Sequence, residues 1–275
     1  MDIEAGELLF NELLPNPYIG GSEYFELYNH TSRTLSLGGL AVSTRKNDGS
    51  LSTCYPLPDI TITPDGYAVL TKDRNGVLPF YTIRDEAAIH QVDRLPILAN
   101  TASTLVLYRQ QDRAVIDEVS YRSTWHAESI RDEKGVALER ISPEAATEDP
   151  KNWTSAAAMA GYGTPGYENS QLNRHPEEEP TGIETPIWTG GDHYSIPYQL
   201  DKAGYNCRIL IYNTAGQRMA EVANNELLGL SGAIEWNGNG ANGKRLSPGV
   251  YIFFAELYHP HDGDRRQCKH VFLIH

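Results

Sequence analysis

The chain has 275 residues, 40% of them hydrophobic and 21% charged, and a formal net charge of −13 at pH 7. That is enough apolar material for two domains with their own cores, which excludes a disordered chain. The acid excess disfavours phosphate backbones and anionic lipid as partners, and no run of about 18 apolar residues is present to span a membrane.

Strand-like runs dominate from the start. Leu8–Leu14 stops at Pro15-Asn-Pro17, and Tyr24–Tyr28 alternates and ends at Asn29. Leu40–Ser43 follows Gly38-Gly39. Tyr67–Thr71 follows Pro64-Asp-Gly66, where Pro presets the first turn φ and Gly accepts a positive one. Thr104–Tyr108 and Ala114–Tyr121 flank Gln110–Arg113, which predicts a hairpin. Asp85–His90 and Ser155–Ala160 are the two places expected to carry a helical turn.

Residues 168–186 are polar and poor in apolar side chains, so ordering them is not repaid by burial. A domain boundary is expected there. The division is 5–170 for the first domain, 171–185 for a linker and 186–275 for the second. Beyond it, Tyr194–Leu200, Cys207–Arg218, Glu235–Gly240 and Ser247–Leu257 are β-rich runs ending in Gly, Asn or Pro. Short strands with turns at this spacing predict an all-β sandwich or barrel in each domain.

Four polar residues stand out as candidates for binding a ligand: Asn11, Glu12, Glu26 and Asn29. Glu26 lies between Phe25 and Leu27, so in a strand it faces away from them and alongside Tyr24 and Tyr28. A carboxylate among tyrosines can bind a ligand or cation, but it can equally accept local hydrogen bonds and pin a loop, which is the simpler reading. His259-Pro-His261 with Asp262 and Asp264 is the densest group of metal-ligand types, and reads as a solvated turn. Asn237–Gly243 has the outline of a calcium loop without its carboxylates. Asp117-Glu118 and Glu148-Asp149 are adjacent pairs whose members point apart on an extended chain, and they read as solvated edges rather than an acid/base pair. No Gly-x-Ser-x-Gly, His-Glu-x-x-His, Cys-x-x-Cys or phosphate loop occurs, so no catalytic residue, metal or cofactor is expected. The three cysteines, Cys54, Cys207 and Cys268, have no metal spacing. Cys207 and Cys268 share one expected domain, where a bridge is open to them, though buried thiols are the plainer reading.

Several of these stretches together resemble the lamin tail domain in the form found in exported bacterial proteins. They are Phe10–Pro17, Ser22–Asn29, Leu35–Ser43 (with Leu40 where Trp is commoner), Pro64–Leu70, Leu138-Glu-Arg140, Asn152-Trp153 and Gly163–Gly166, in the family's order. The resemblance covers about residues 5–170 and implies an immunoglobulin-like sandwich without catalytic activity. Ile209–Gly216, Trp236-Asn-Gly238, Asn242-Gly243 and Pro248–Tyr251 resemble the immunoglobulin-like domain of the flagellar hook-capping protein, with Asn237 in place of the usual Asp. They also resemble sorting domains of outer-membrane secretion systems.

Both resemblances imply export, although the acidic start Met1-Asp-Ile-Glu-Ala is no signal peptide. The expectation is a secreted protein, or one at the outer surface or in the periplasm of a Gram-negative bacterium, its export signal already removed. It would be non-catalytic and act in binding, adhesion or the spacing and anchoring of domains. Its partner would be a protein or glycan, with no nucleic acid and no membrane insertion. The alternative is a targeting or substrate-binding appendage of an exported hydrolase or nuclease whose catalytic domain lies elsewhere. Chromatin-type binding, by analogy with the eukaryotic lamin tail, is opposed by residues 1–170, which hold 14 Lys and Arg against 24 Asp and Glu.

Overall fold

A computed structural model describes residues 2–173 and 180–275. It is all-β and divides into two compact units. The first is Met1–Ala156 with Ala160–Leu172; the second is Asn173–His275 with Ala157–Met159.

The first unit runs β1 (Leu8–Leu14), β2 (Tyr24–Asn29), β3 (Leu35–Ser36), β4 (Leu40–Thr44), β5 (Tyr55–Pro56) and β6 (Thr61–Ile62). It continues β7 (Tyr67–Thr71), β8 (Ile89–Gln91), β9 (Ala102–Arg109), β10 (Val115–Arg122), β11 (Leu138–Arg140) and β12 (Trp153–Ser155). Six strands form a sheet in the order β12-β11-β1-β2-β7-β8, and four form a second in the order β10-β9-β4-β5. Phe10, Leu13, Phe25, Leu27, Leu70, Leu107 and Val119 fill the main core, where alternate side chains of the strands meet. The expected hairpin is present, β9 pairing with β10. Asp85 caps a 3-10 turn at Glu86–Ala88 by accepting from the Ala87 amide.

One irregularity sets the polar chemistry of this unit. The pairing of β1 with β2 shifts between Phe10 and Glu12, so Asn11 is the extra residue of a β-bulge. With strict alternation Glu12 would share the core face with Phe10. The bulge turns Glu12 to the outer face and returns Leu13 to the core. That outer face is not bare: Leu14, Tyr24, Val69, Val77, Tyr81, Ile89, Ala137 and Ala156 make a second apolar cluster on it.

The second unit runs β13 (Gly182–Ile183), β14 (Ile187–Gly190), β15 (His193–Gln199), β16 (Asn206–Asn213), β17 (Arg218–Leu227), β18 (Ser231–Trp236), β19 (Gly249–Tyr258) and β20 (Arg265–Ile274). β15 pairs with β13, β14 and β18, and a second sheet has the order β17-β16-β19-β20. Tyr194, Ile196, Ile209, Ile211, Phe253 and Phe272 fill the space between. All three cysteines are free thiols. Cys207 on β16 and Cys268 on β20 are separated by the whole of β19, about 10 Å at two strand spacings, too far for a bridge.

The polar stretch read as a spacer is packed at both ends. Asn169 and Gln171 are buried in the first unit, and Ile183 is buried in the second. Hydrogen bonds explain the first case and a β-pair the second, neither of which composition reveals. Residues 174–179, which hold most of the Glu-rich run, lie outside the described residues.

Trp236 is only 7% exposed. It packs 5.4 Å from the Tyr194 ring and 6.2 Å from the Phe272 ring, centroid to centroid, and its indole N–H donates to the Asn239 carbonyl. Trp236→Ala should cost about 3–5 kcal/mol in chemical denaturation of the second unit, as for other buried aromatic truncations. A shift near zero would contradict this packing.

Candidate functional site

The bulge places three glutamates in a single row. Glu12 on β1 is directly opposite Glu26 on β2 and directly opposite Glu139 on β11. Opposed residues in antiparallel strands have Cβ atoms about 4.5–5.5 Å apart, so the carboxyls are immediate neighbours. All three are fully buried.

Residues 163–171 lie over this row as a strap. Glu12 accepts from the Tyr24 hydroxyl at 2.5 Å, the Thr164 amide at 3.0 Å and the Thr164 hydroxyl at 3.0 Å. Glu26 accepts from the Asn11 side chain and the Gly166 amide, both at 2.7 Å. Glu139 shares the same Thr164 hydroxyl at 2.8 Å, and accepts from the Ser170 hydroxyl at 2.8 Å and the Gln171 amide at 2.9 Å. Asn169 donates to the main-chain carbonyls of Asn11 and Arg140, and its side-chain oxygen accepts from Asn11. The strap's sequence suits this path. Thr164 precedes Pro165 and is therefore held extended. Gly166 has φ +86°, and a Cβ on Gly163 would meet the Tyr81 ring at 2.7 Å.

Burial without a cation pushes the row's carboxyls upward. Glu12 is pushed up to about 8, first by desolvation and then by the neighbouring Glu139 charge. Glu26 is raised by desolvation and by Glu12, and Glu139 by desolvation. Tyr24 and Tyr81 are raised too, by burial and by Glu12. Among the described residues no Lys or Arg pairs with the row.

The one fully buried arginine among the described residues works on the opposite face of the same sheet. Arg140 follows Glu139, so it points into the core. It donates to the Phe10 and Ala145 carbonyls and to the Thr147 hydroxyl, lies 3.5 Å from Asp117 and stands 5.4 Å from the Trp153 ring. Asp117 in turn accepts from the Phe10 amide at 2.7 Å and the Thr147 hydroxyl at 2.6 Å.

The structure thus brings Asn11, Glu12 and Glu26 together and puts Asn29 elsewhere. Asn29 is fully buried and pins a different loop, donating to the Arg33, Ile62 and Thr63 carbonyls and accepting from Thr31. Glu139, Arg140, Thr164 and Asn169 complete the arrangement and were not singled out from sequence as site residues. A Glu between Leu138 and Arg140 in a short strand was the one available signal. Chemically, the arrangement is a lock. Each of the three carboxyls is engaged by hydrogen bonds from the strap or its neighbours.

Elsewhere, His259 Nδ1 lies 2.9 Å from Asp262, and Lys202, Asp264, Arg266 and Asp201 join the same ion-paired turn. Asn237 and Asn242 accept from the amides two residues on, which makes local turns. Among the described residues no group of three or more His, Cys, Asp or Glu side chains is arranged to hold a metal ion. Two clefts open on the first unit, of about 400 Å³ beside Tyr55 and Arg94 and about 680 Å³ beside Arg33 and Arg109. Neither is lined by a residue of the row.

Residues 3–123 match the family model of the Lamin Tail Domain, so the lamin-tail character of the first unit is shown over that stretch. Glu139 and the whole strap lie beyond it. No curated protein matches the chain. Among solved structures it is similar to FLGD from P. aeruginosa at 20% identity and TM-score 0.25, covering 30% of this chain and 62% of that one. It is similar to PorU from Porphyromonas gingivalis at 9% identity and TM-score 0.29, covering 94% of this chain and 19% of that one. It is also similar to PorZ, a bacterial surface component of the type-IX secretion system of P. gingivalis, at 11% identity and TM-score 0.26, covering 94% and 29%. The chain spans less than two thirds of each of these proteins.

The lock has two measurable consequences. A fragment ending at residue 123 lacks Glu139, Trp153 and the strap, and should show no cooperative melting, whereas one ending at residue 172 should melt cooperatively. Arg140→Ala leaves Asp117 buried without its cation and should cost about 3–5 kcal/mol in chemical denaturation of the first unit. A loss below about 1 kcal/mol would mean that Asp117 takes up a proton at little cost.

Proposed function

With a lamin tail domain as its first unit, this chain, we propose, is a non-catalytic module of a secreted or cell-surface protein that works by holding a protein partner. The observation that carries this reading is on the second unit. Val250 and Ile252 on β19 face Leu273 and Val271 on β20 in direct register, so the four share one face of the sheet. Val250 is 46% exposed, Val271 67% and Leu273 57%. Exposed apolar side chains grouped in this way mark a surface that meets another molecule. The polar residues best placed for chemistry, by contrast, are occupied in the first unit's interior.

Two further points support the reading. No helix among the described residues is long and apolar enough to cross a membrane. The net charge of −13 opposes a nucleic-acid partner. The two units are read as separate modules with the linker placed at 171–185, and the second as the one that docks.

The purified chain should show no turnover on nuclease, esterase, protease or glycosidase substrates. On intact cells, a tag on the chain should be cleaved by added protease. Turnover abolished by one substitution, or a tag protected until the cells are lysed, would overturn the reading.

A further inference from the structure

The hydrogen count at Thr164 carries more than a structural lock. Its hydroxyl lies 3.0 Å from a Glu12 oxygen and 2.8 Å from a Glu139 oxygen. A threonine hydroxyl has one hydrogen to give and two lone pairs to receive. It satisfies both contacts at full strength only if it donates to one carboxyl and accepts from the other. That second carboxyl must then carry a proton. The row's geometry makes the same demand, because three adjacent carboxylates closed off from water and without a cation repel one another.

We propose that the row is a proton-held latch: the strap of residues 163–171 stays seated while Glu12 or Glu139 is protonated, and lifts off the folded sandwich when the row loses its protons. The strap reaches the row's carboxyls by hydrogen bonds from Thr164, Gly166, Ser170 and Gln171, and Asn169 ties it besides to Asn11 and the Arg140 carbonyl. Full ionisation strengthens the amide contacts but breaks the Thr164 bridge and sets three charges side by side. The main core lies on the other face of the sheet, between Phe10, Phe25, Leu27 and Leu138, and takes no residue from the strap. A lifted strap would add about nine residues, roughly 30 Å fully extended, to the stretch leading into the second unit.

The groups around the row are few. Tyr24 faces it from β2, Tyr81 from the segment after β7 and Tyr167 from the strap itself, where Arg84 lies 4.2 Å over the Tyr167 ring. At the far end of the strap, Gln171 donates to the Ser155 carbonyl on β12, and the Ser155 hydroxyl meets His126, which burial pushes down to about 4 and so keeps neutral. Arg140 and Asp117 belong to the opposite face. The tyrosines are raised above their ordinary range, so the carboxyls titrate first.

The direction of the shifts sets the sign of the pH dependence. The folded row holds protons that the unfolded chain gives up near the ordinary carboxyl range. The stability it contributes is therefore complete below that range and is lost as the pH rises through about 8, the Glu12 value. Each proton released on opening makes the opening equilibrium about tenfold more favourable per pH unit.

Hydrogen exchange of the full chain at pH 6 to 9, corrected for the intrinsic pH dependence of exchange, tests this. Protection of the Thr164, Gly166 and Gln171 amides should fall about tenfold per pH unit from pH 6 up to about 8, the Glu12 value, and level off above it, while that of Phe25 and Leu27 stays constant. Glu12→Gln, which keeps the shape without the charge, should hold the strap's protection level across the range. Should that variant fail to fold, Glu139→Gln serves in its place. Strap protection independent of pH in the native chain would overturn the proposal. So would an equal loss at the strap and the core, which would show global unfolding rather than a latch.

Discussion

The first unit depends on finding a place for three carboxyls that cannot reach water. Glu12, Glu26 and Glu139 sit side by side on three hydrogen-bonded strands, and desolvating such groups costs several kcal/mol each when they are charged and unpaired. The solution is local. A short, glycine-containing strap supplies amides and hydroxyls to the oxygens, and burial favours the neutral acid for at least one of the three. The strap cannot vary freely, because Gly163 has no room for a side chain and Gly166 needs a positive φ.

A single inserted residue makes this possible. The bulge at Asn11 moves Glu12 out of the apolar core, and the same Asn11 then bonds to Glu26 and Asn169. The buried ion pair of Arg140 and Asp117 ties β11 to β10, across the sandwich and behind the row. Polar order thus exists on both faces of one sheet, with opposite electrostatics: a neutralised acid row outside and a paired cation inside. The lamin-tail match ends at residue 123, yet the strand that completes the row and the strap that covers it come later. The folding unit is longer than the matched stretch.

Much of the fold was legible in the sequence, and the rest was hidden for physical reasons. Strand runs such as Tyr24–Asn29 and the hairpin around Gln110–Arg113 follow from alternation and turn residues, which are local. Glu26 between Phe25 and Leu27 pointed to a polar face beside Tyr24, and Tyr24 does bond to the row. The bulge left no mark, because nothing in Phe10-Asn-Glu12 announces which residue is extra. Glu139 was invisible as a partner because its bonds to Thr164 and Gln171 bridge 25 and 32 positions. The burial of Asn169 and Gln171 was hidden for the same reason: polar composition argues for solvent unless buried partners wait for it. Ile183 shows the converse, a lone apolar residue that enters the second core through a two-residue strand.

The protonation of the row is the point on which the first unit turns. Carbon-13 labelling of the glutamate side chains, followed by NMR from pH 5 to 10, reads it directly, with Glu→Gln variants assigning the signals. At pH 7 at least one of Glu12 and Glu139 should show the carboxyl shift of the neutral acid, with Glu12 titrating near pH 8 and Glu139 above the ordinary carboxyl range. Finding all three carboxyls ionised at pH 6 with the strap still in place would contradict a proton-held row.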